Sequence, residues 1–322
     1  MNKFDNDFQR EMEAHLLRFK IAKQYLPSNS KKAWLYNDIA DNLFPPIRHG
    51  FLQYIYDEAI PLHDFINHVR SSQAYCINTF YPVLTQNPDA LLALLSKKIK
   101  RTLKSLTRFQ FEYTPDTNVL GEWKSDLNKP EEYVTAVDLR LDMEDNNGKK
   151  VVFLIEVKFT ESSFSHCGGY NSGGNTGETR AACSNGLDIL KDYNLCYLHG
   201  SNGRGKLKRK YFKFFEPMTD YFKDSAFSGE CPFIELHQCL RNHALVRHLI
   251  STGVDAYFVL LYHEKNKYIL EQWHKYKTLL HPERSSNLFE ICGEEIVEHS
   301  KLETLQSYYK DRYNLSNIEK ES

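Results

Sequence analysis

Two charged residues interrupt the most apolar stretch of the chain. Residues 151–159 read ValValPheLeuIleGluValLysPhe, so Glu156 and Lys158 flank Val157 inside a segment that is otherwise hydrophobic. Burying such charges without partners is costly, because an unpaired ion loses its hydration. Two charges of opposite sign on one face of a buried strand therefore indicate a site that holds a metal ion and polarises a phosphate.

The segment upstream predicts a partner strand for this stretch. Residues 133–143 carry apolar side chains mostly at odd positions, and residues 151–159 also have their apolar side chains at odd positions. This period of two is typical of β-strands with one apolar face. The sequence AspAsnAsnGlyLys at 145–149 is typical of a hairpin connection. We therefore expect a β-hairpin that ends near the two charges.

The loop of this hairpin determines which residues meet. A two-residue Asn147-Gly148 turn would put the two apolar sets on opposite faces, so we reject it. A three-residue loop over 146–148, with Gly148 in the left-handed conformation, pairs odd positions with odd ones. Asp138 then lies opposite Glu156, and Lys158 lies on the same face opposite a small residue, Ala136.

These three residue types suit the hydrolysis of a phosphodiester. We expect Asp138, Glu156 and the main-chain carbonyl of Val157 to bind Mg²⁺ or Mn²⁺, since hard cations prefer oxygen ligands. The ion would lower the pKa of a bound water and neutralise phosphate charge, while Lys158 orients or deprotonates the attacking water. The alternative is a solvated sheet face on which the two carboxylates only pair with Arg140 and Lys158.

The pattern Asp138 with Glu156-Val157-Lys158 resembles the active site of the PD-(D/E)XK nuclease superfamily, although Val137 stands where a proline often precedes the aspartate. The resemblance implies an α/β fold with a restriction-endonuclease-like core, in which helices flank a central mixed sheet. The chain would add helical N- and C-terminal extensions to that core. The implied order of elements is helix, strand, strand, strand, helix, strand.

The rest of the sequence can be arranged in that order. Residues 1–110 are predicted to be largely helical, with a helix start near Pro61, and 72–95 or 90–108 would supply the first core helix. Strands are predicted at 109–113 and 255–263, and a helix at 234–250. We expect an N-terminal helical extension over 1–70, a nuclease core over 71–263 with a long 160–230 insertion, and a C-terminal helical extension over 264–322.

Further blocks are similar to a group of mostly uncharacterised bacterial restriction-endonuclease-like proteins. They lie at 71–84, 111–113, 156–161, Cys231-Pro232-Phe233, Gln238 and Arg241-Asn242. The resemblance implies that Gln238 orients the water or the phosphate, and a helix-capping role explains it nearly as well. Glu112 would be another carboxylate beside the metal or an exposed edge charge. Glu161 and Gln73 are weaker candidates for the site.

Seven cysteines are present, and four of them lie in or just beyond the 160–230 insertion: Cys167, Cys183, Cys196 and Cys231. Some nucleases of the superfamily hold an iron–sulfur cluster with four cysteines, so the resemblance implies that a 4Fe–4S cluster is one candidate for these residues. A Zn²⁺ site is the other metal candidate. No CxxC pair occurs, which favours buried or free thiols instead.

Composition limits the function classes. The net charge is −1, so binding to nucleic acid would need local basic patches. One patch is 97–108, which has apolar residues at helical spacing, and the other is 204–215, which interleaves basic and aromatic residues suited to phosphate contacts and base stacking. The candidate nucleic-acid contacts are Arg204, Lys206, Lys208, Arg209, Lys210, Lys213 and Gln73. The charged N-terminus and the absence of long apolar runs predict a cytoplasmic protein without membrane association.

The expected function is that of a Mg²⁺-dependent phosphodiesterase, a deoxyribonuclease with a restriction or defence role. The same core also serves repair exonucleases and junction nucleases, which remain the alternative activity. The alternative of another class is an inactive nuclease-like module that binds nucleic acid or protein. DNA, a second copy of the chain in a homodimer and protein partners of a defence system are the expected partners.

Overall fold

The computed structural model describes residues 6–25, 32–124, 129–130, 134–199 and 209–314, with the backbone alone at 124 and 129–130. The α-helices are α1 (Asp7–Ala22), α2 (Arg48–Asp57), α3 (Ser72–Gln86), α4 (Pro88–Ile99), α5 (Gly177–Ser184), α6 (Gly186–Lys191), α7 (Phe233–Ser251), α8 (Lys267–Leu279), α9 (Gly293–Ser300) and α10 (Glu303–Tyr313). The strands are β1 (Leu103–Tyr113), β2 (Trp123–Lys124), β3 (Lys129–Pro130), β4 (Val137–Asp145), β5 (Lys150–Lys158), β6 (Asp255–Tyr262) and β7 (Leu288–Cys292).

A mixed five-stranded sheet with the order β1-β4-β5-β6-β7 forms the centre of the described structure. β1, β4 and β5 pair antiparallel, whereas β5, β6 and β7 pair parallel. α7 makes the crossover from β5 toward β6, which parallel strands require. The expected α/β class, with a central mixed sheet flanked by helices, is therefore confirmed.

The central strand β5 is buried on both faces, which explains its almost continuous apolar sequence. Val151 and Phe153 pack with a hydrophobic cluster that includes residues of α3, α4, α9 and α10. Val152 and Leu154 pack with a second cluster, on the other face, that includes residues of α7 and α8. Glu156 belongs to the even-numbered face, so its carboxylate is directed toward the α7 side of the sheet.

The hairpin has the predicted three-residue loop. The ladder runs from Leu139 opposite Ile155 to Glu144 opposite Lys150. Gly148 has a φ of 74°, a left-handed conformation that glycine adopts without steric cost. The Asp145 carboxylate accepts hydrogen bonds from the backbone N–H groups of Asn147 and Lys149, each at 2.8 Å. Loop length and register are both confirmed.

Other predicted elements are partly wrong. The predictions of a helix at 234–250 and of a strand at 255–263 are confirmed by α7 and β6. No helix begins at Pro61, since 61–71 forms turns and Ser71 caps α3 by accepting from Ala74 N–H at 3.2 Å. Residues 103–108, read with helical spacing, belong to β1, whose two bulges disturb the alternation that marks a strand.

The first and last described helices, α1 and α10, lie against the same face of the sheet. The cluster that covers this face includes Phe8 and Leu16 of α1 together with Tyr309 and Tyr313 of α10. The predicted C-terminal helical extension also contains a strand, β7, which completes the sheet. The division at 70/71 and 263/264 stays a prediction. No helix among the described residues is both long and apolar enough to span a bilayer.

Candidate active site

The end of the β4–β5 hairpin brings three predicted residues together. Asp138 is the residue next to the last ladder pair, Leu139 and Ile155, and its Oδ2 accepts a hydrogen bond from the backbone N–H of Val157 at 2.7 Å. The ammonium of Lys158 lies 3.0 Å from Glu156 Oε1. The register predicted from alternation therefore sets Asp138 beside the Glu-x-Lys segment.

Helix α7 holds the Glu156 carboxylate in place. Gln238 Nε2 donates to Oε1 at 2.5 Å, and Asn242 Nδ2 donates to Oε2 at 2.6 Å. The two amides are four residues apart, so they share one face of the helix. Glu156 is only 2% exposed. A carboxylate this buried requires such charge-assisted hydrogen bonds, because it has lost its hydration.

Gln238 and Asn242 both contact Glu156, and the sequence predicted a role only for Gln238. Both polar atoms of the Gln238 amide make hydrogen bonds. Nε2 donates to Glu156, and Oε1 accepts from Ser165 N–H at 3.1 Å and from Ser165 Oγ at 2.9 Å. Gln238 therefore positions Glu156 in this structure and does not contact the cleft. Asn242 makes the equivalent contact one turn later. The i, i+4 spacing of two amide residues in the sequence was the signal that could have identified it.

Glu112 joins the site from the end of β1. Its φ of 50° lies in the left-handed region, and its Oε1 accepts from Gln73 Nε2 at 2.7 Å. Burial and the charge of Glu156 raise the pKa of Glu112 to about 7, although the bond from Gln73 opposes the shift. Gln73 is buried, and its Oε1 accepts from His63 N–H at 2.9 Å. Gln73 therefore supports Glu112 and the neighbouring loop, and its contact with nucleic acid stays a prediction.

The site has an excess of negative charge. Burial, and then repulsion from Glu156 and Glu112, raises the pKa of Asp138 well above its ordinary value. Burial alone would lower the pKa of Lys158, yet the carboxylates around it, first that of Glu156, raise it above its ordinary value. Several carboxylates thus surround one ammonium, and a divalent cation would relieve their mutual repulsion.

The donor set fits a hard cation. Within the described residues no three His, Cys, Asp or Glu side chains are arranged to hold a metal ion. A cation at this site would therefore rest on Asp138, Glu156, the Val157 carbonyl and water. Mg²⁺ is commonly bound by one or two carboxylates and keeps several of its waters, so this small oxygen set is adequate.

A cleft of about 370 Å³ opens beside these residues. Asp138 and Glu112 line it, while Glu156 does not line it and is nearly inaccessible to solvent. Glu161, a weaker candidate, also lines the cleft, and its Oε2 accepts from the backbone N–H of Thr160 at 2.9 Å. The remaining lining comes from Gln9, Thr160 and the segment before and at the start of α3, namely His63, Phe65, His68, Arg70, Ser71, Ser72 and Gln73.

In the described part of the basic and aromatic segment 204–215, three of the aromatic rings are not available for the predicted stacking. Tyr211, Phe212 and Phe215 are buried in the second hydrophobic cluster, so their rings are unavailable to bases. Lys210 and Lys213 are exposed, and Arg209 Nη1 donates to the carbonyl of Gly121 at 3.4 Å. Arg204, Lys206 and Lys208 lie outside the described residues.

The four insertion cysteines are brought together, although not at the catalytic candidates. Cys167, Cys183, Cys196 and Cys231 line one small cavity beside the first turns of α7. The helix that carries Gln238 and Asn242 thus contacts both regions.

Comparison with known proteins assigns the chain to a family. A model for the family described as Restriction Endonuclease associating with ARP matches residues 9–314. The chain belongs to this family. The match runs from α1 to α10, so the matched region covers the sheet, the hairpin and the cysteine cavity. The predicted restriction-endonuclease character is confirmed at that level. No curated protein and no solved structure matches the chain.

Proposed function

We propose that the chain is a divalent-metal-dependent deoxyribonuclease of the PD-(D/E)XK type with a restriction or defence role. The observation that carries this proposal is the convergence of Asp138, Glu156 and Lys158 at the end of one hairpin, with Glu112 alongside. The family description supports the same reaction class. The mixed sheet with flanking helices is consistent with a restriction-endonuclease-like core.

Each residue has a distinct part in the proposed reaction. Asp138, Glu156 and the Val157 carbonyl would hold Mg²⁺, and the ion would supply Lewis acidity at the phosphate and lower the pKa of water. Lys158 is cationic, because its pKa is raised, so it orients water and offsets phosphate charge and is unsuited to act as the base. Gln238 and Asn242 keep the Glu156 carboxylate in one orientation.

DNA is the proposed substrate and an ARP-type protein is the proposed partner, since the family description names restriction endonucleases that associate with ARP. The cleft beside Asp138 is the proposed entry for the phosphate backbone. We retain a cytoplasmic location and a homodimer as proposals. Repair-type or junction cleavage and an inactive binding module are the alternatives that the following assay separates.

The test is cleavage of linear DNA, supercoiled DNA and RNA by the purified full chain with Mg²⁺, Mn²⁺ or EDTA. We expect cleavage of DNA with either metal and none in EDTA. Asp138→Asn, Glu156→Gln and Lys158→Ala should each reduce the rate by about 100-fold or more. The matched control is Glu144→Gln, which removes an exposed carboxylate from the same hairpin and should cut like the parent.

Three results would contradict the proposal. Cleavage that persists in EDTA would exclude the metal, and unchanged cleavage by the three site variants would exclude the site. Binding of DNA without cleavage under every metal condition would favour the inactive module. Cutting that begins only at free ends or only at branched DNA would favour the repair-type alternatives.

A further inference from the structure

Four cysteines from four separate segments converge on one enclosed cavity. Cys167 follows β5, Cys183 lies in α5, Cys196 follows a short 3₁₀ turn, and Cys231 precedes α7. Backbone bonds connect these segments, since Cys231 N–H donates to the Cys183 carbonyl and Cys167 N–H to the Ile234 carbonyl, each at 2.8 Å. The remaining cysteines, at 76, 239 and 292, do not line this cavity.

Backbone N–H groups near these cysteines favour their thiolate forms. The backbone N–H groups of Gly169 and Tyr170 lower the pKa of the Cys167 thiol, and those of Leu198 and His199 lower the pKa of the Cys196 thiol, although burial raises both pKa values more strongly. Donors two and three residues beyond a cysteine stabilise a thiolate more than a neutral thiol, which is a weak acceptor.

The other two sulfurs also have donors. The backbone N–H of Phe233 lowers the pKa of the Cys231 thiol, and Cys183 Sγ accepts a hydrogen bond from Asn175 Nδ2 at 3.7 Å. In the absence of a ligand, burial raises the pKa of the Cys196 thiol to about 12, so a neutral thiol is favoured. Coordination to a metal reverses this, because a coordinating thiol is deprotonated outright. The donors around all four sulfurs suit that deprotonated state.

Two histidines give an independent indication of a ligand. His199 and His237 line the same cavity and are 6% and 8% exposed. Within the described residues, His199 Nδ1 and His237 Nε2 have no hydrogen-bond partner. Leaving a buried polar group unsatisfied costs about 1–3 kcal/mol. A group in the cavity that accepts or donates a hydrogen bond would remove this cost.

The arrangement favours a cluster over a single ion. One tetrahedral zinc ion would bring its sulfur ligands to about 3.8 Å from one another, given Zn–S bonds of about 2.3 Å. No three His, Cys, Asp or Glu side chains in the described part of the chain are arranged to hold one ion. A polynuclear centre accepts thiolates that are further apart, since each binds a different iron. The rest of the lining is mostly apolar, as with Ile189, Phe212 and Leu240.

We propose that Cys167, Cys183, Cys196 and Cys231 bind an iron–sulfur cluster. The guanidinium of Arg241 lies near enough to affect Cys167 and His237 electrostatically, and it offsets the negative charge of four thiolates. The neutral imidazoles of His199 and His237 provide N–H donors for the inorganic sulfides. The cluster ties the segments around residues 167, 183, 196 and 231 to the first turns of α7, and the proposal does not depend on nuclease activity.

The test begins with the metal content of the full chain purified without oxygen. We expect about four iron and four acid-labile sulfide per chain, a brown colour with broad visible charge-transfer absorption, and loss of that absorption on reduction by dithionite. Protein isolated without the cluster should recover it when incubated with ferrous iron and sulfide. Stoichiometric zinc without iron, or a chain that stays free of iron after this reconstitution, would overturn the proposal.

Variants identify the ligands. Cys167→Ser, Cys183→Ser, Cys196→Ser and Cys231→Ser should each lower the iron content several-fold. Cys239→Ser is the matched control, because this cysteine is fully buried in α7 but lies outside the cavity, and it should keep the iron of the parent. Metal analysis of the parent does not depend on how the variants fold. Unchanged iron in all four ligand variants would also overturn the proposal.

Discussion

At the scale of single residues, the buried Glu156 carboxylate explains the organisation of the site. Its two oxygens accept from Gln238 and Asn242, and Oε1 also lies beside Lys158. Three partners compensate a charge that has lost its water. A group held in this way has little freedom to rotate, which is what precise placement of a metal ligand requires.

Asn242 provides a sharp test of this support. Asn242 is fully buried and does not line the cleft, so it acts only through Glu156. We expect Asn242→Ala to lower the single-turnover rate by about 10–100-fold and to raise the Mg²⁺ concentration needed for half-maximal rate, with the KM for DNA unchanged. Asn242→Asp, of the same shape, should be worse because it sets a second carboxylate against Glu156.

The control for Asn242 is a buried asparagine with a structural role. Asn78 in α3 is equally buried, and its Oδ1 accepts from Phe44 N–H at 2.7 Å. Asn78→Ala should lower the free energy of unfolding by about 1–3 kcal/mol but leave the Mg²⁺ dependence of the folded enzyme unchanged. If Asn242→Ala only destabilises the chain in the same way, its proposed positioning role is wrong.

At the scale of elements, the hairpin could be predicted because a buried sheet constrains it. A slip of one residue would exchange the two faces of β4 and β5, so the alternation in the sequence allows only the observed register. The neighbouring strands carry less information. β7 has five residues, which is too short for a period of two to be recognised, and the bulges in β1 interrupt its alternation.

Gly148 tests the loop that sets this register. A Cβ at position 148 would meet nothing within 4 Å, so the cost of Gly148→Ala comes only from its φ of 74°. We expect a loss of about 1–2 kcal/mol in the free energy of unfolding, measured in urea, and a smaller loss for Gly148→Asn, since asparagine tolerates this conformation better.

The matched control for this loop is Gly229→Ala. A Cβ there would also meet nothing within 4 Å, and the φ of Gly229 lies outside the left-handed range. Its free energy of unfolding should remain within about 0.5 kcal/mol of the parent value. Equal stabilities for Gly148→Ala and Gly229→Ala would contradict the left-handed loop.

At the scale of the whole molecule, contacts between distant parts of the chain could not be predicted from the sequence. Arg312 of α10 is fully buried, and its guanidinium contacts Tyr308 and the Asn42 side chain near the other end of the chain. The four cysteines converge from segments as far apart as residues 167 and 231. Local patterns predict strands and their faces. Contacts between residues far apart in the sequence depend on how the loops close in three dimensions.

The dependence of stability on acid pH tests the burial of His243 beside the second hydrophobic cluster, which covers the α7 side of the sheet. His243 is fully buried there, Nδ1 lies 2.9 Å from the hydroxyl of Tyr276, and burial lowers the pKa of His243 to about 3. The unfolded chain binds the proton at a pKa of about 6.5, so it is favoured first on acidification. The contribution of His243 is therefore complete above about pH 6.5 and is lost as the pH falls toward about 3.

Between about pH 7 and about pH 5.5 this loss should amount to about 1.3 kcal/mol. Urea unfolding at about pH 7 and about pH 5.5 would measure it. Between these two pH values, the free energy of unfolding of His243→Gln should fall by about 1.3 kcal/mol less than that of the parent. Glutamine keeps a polar partner for Tyr276 but cannot titrate. The control is His49→Gln, on the exposed side of α2. Its free energy of unfolding should fall by the same amount as that of the parent. An equally steep fall in His243→Gln would mean that His243 does not control the response, because all other titrating groups are common to both chains.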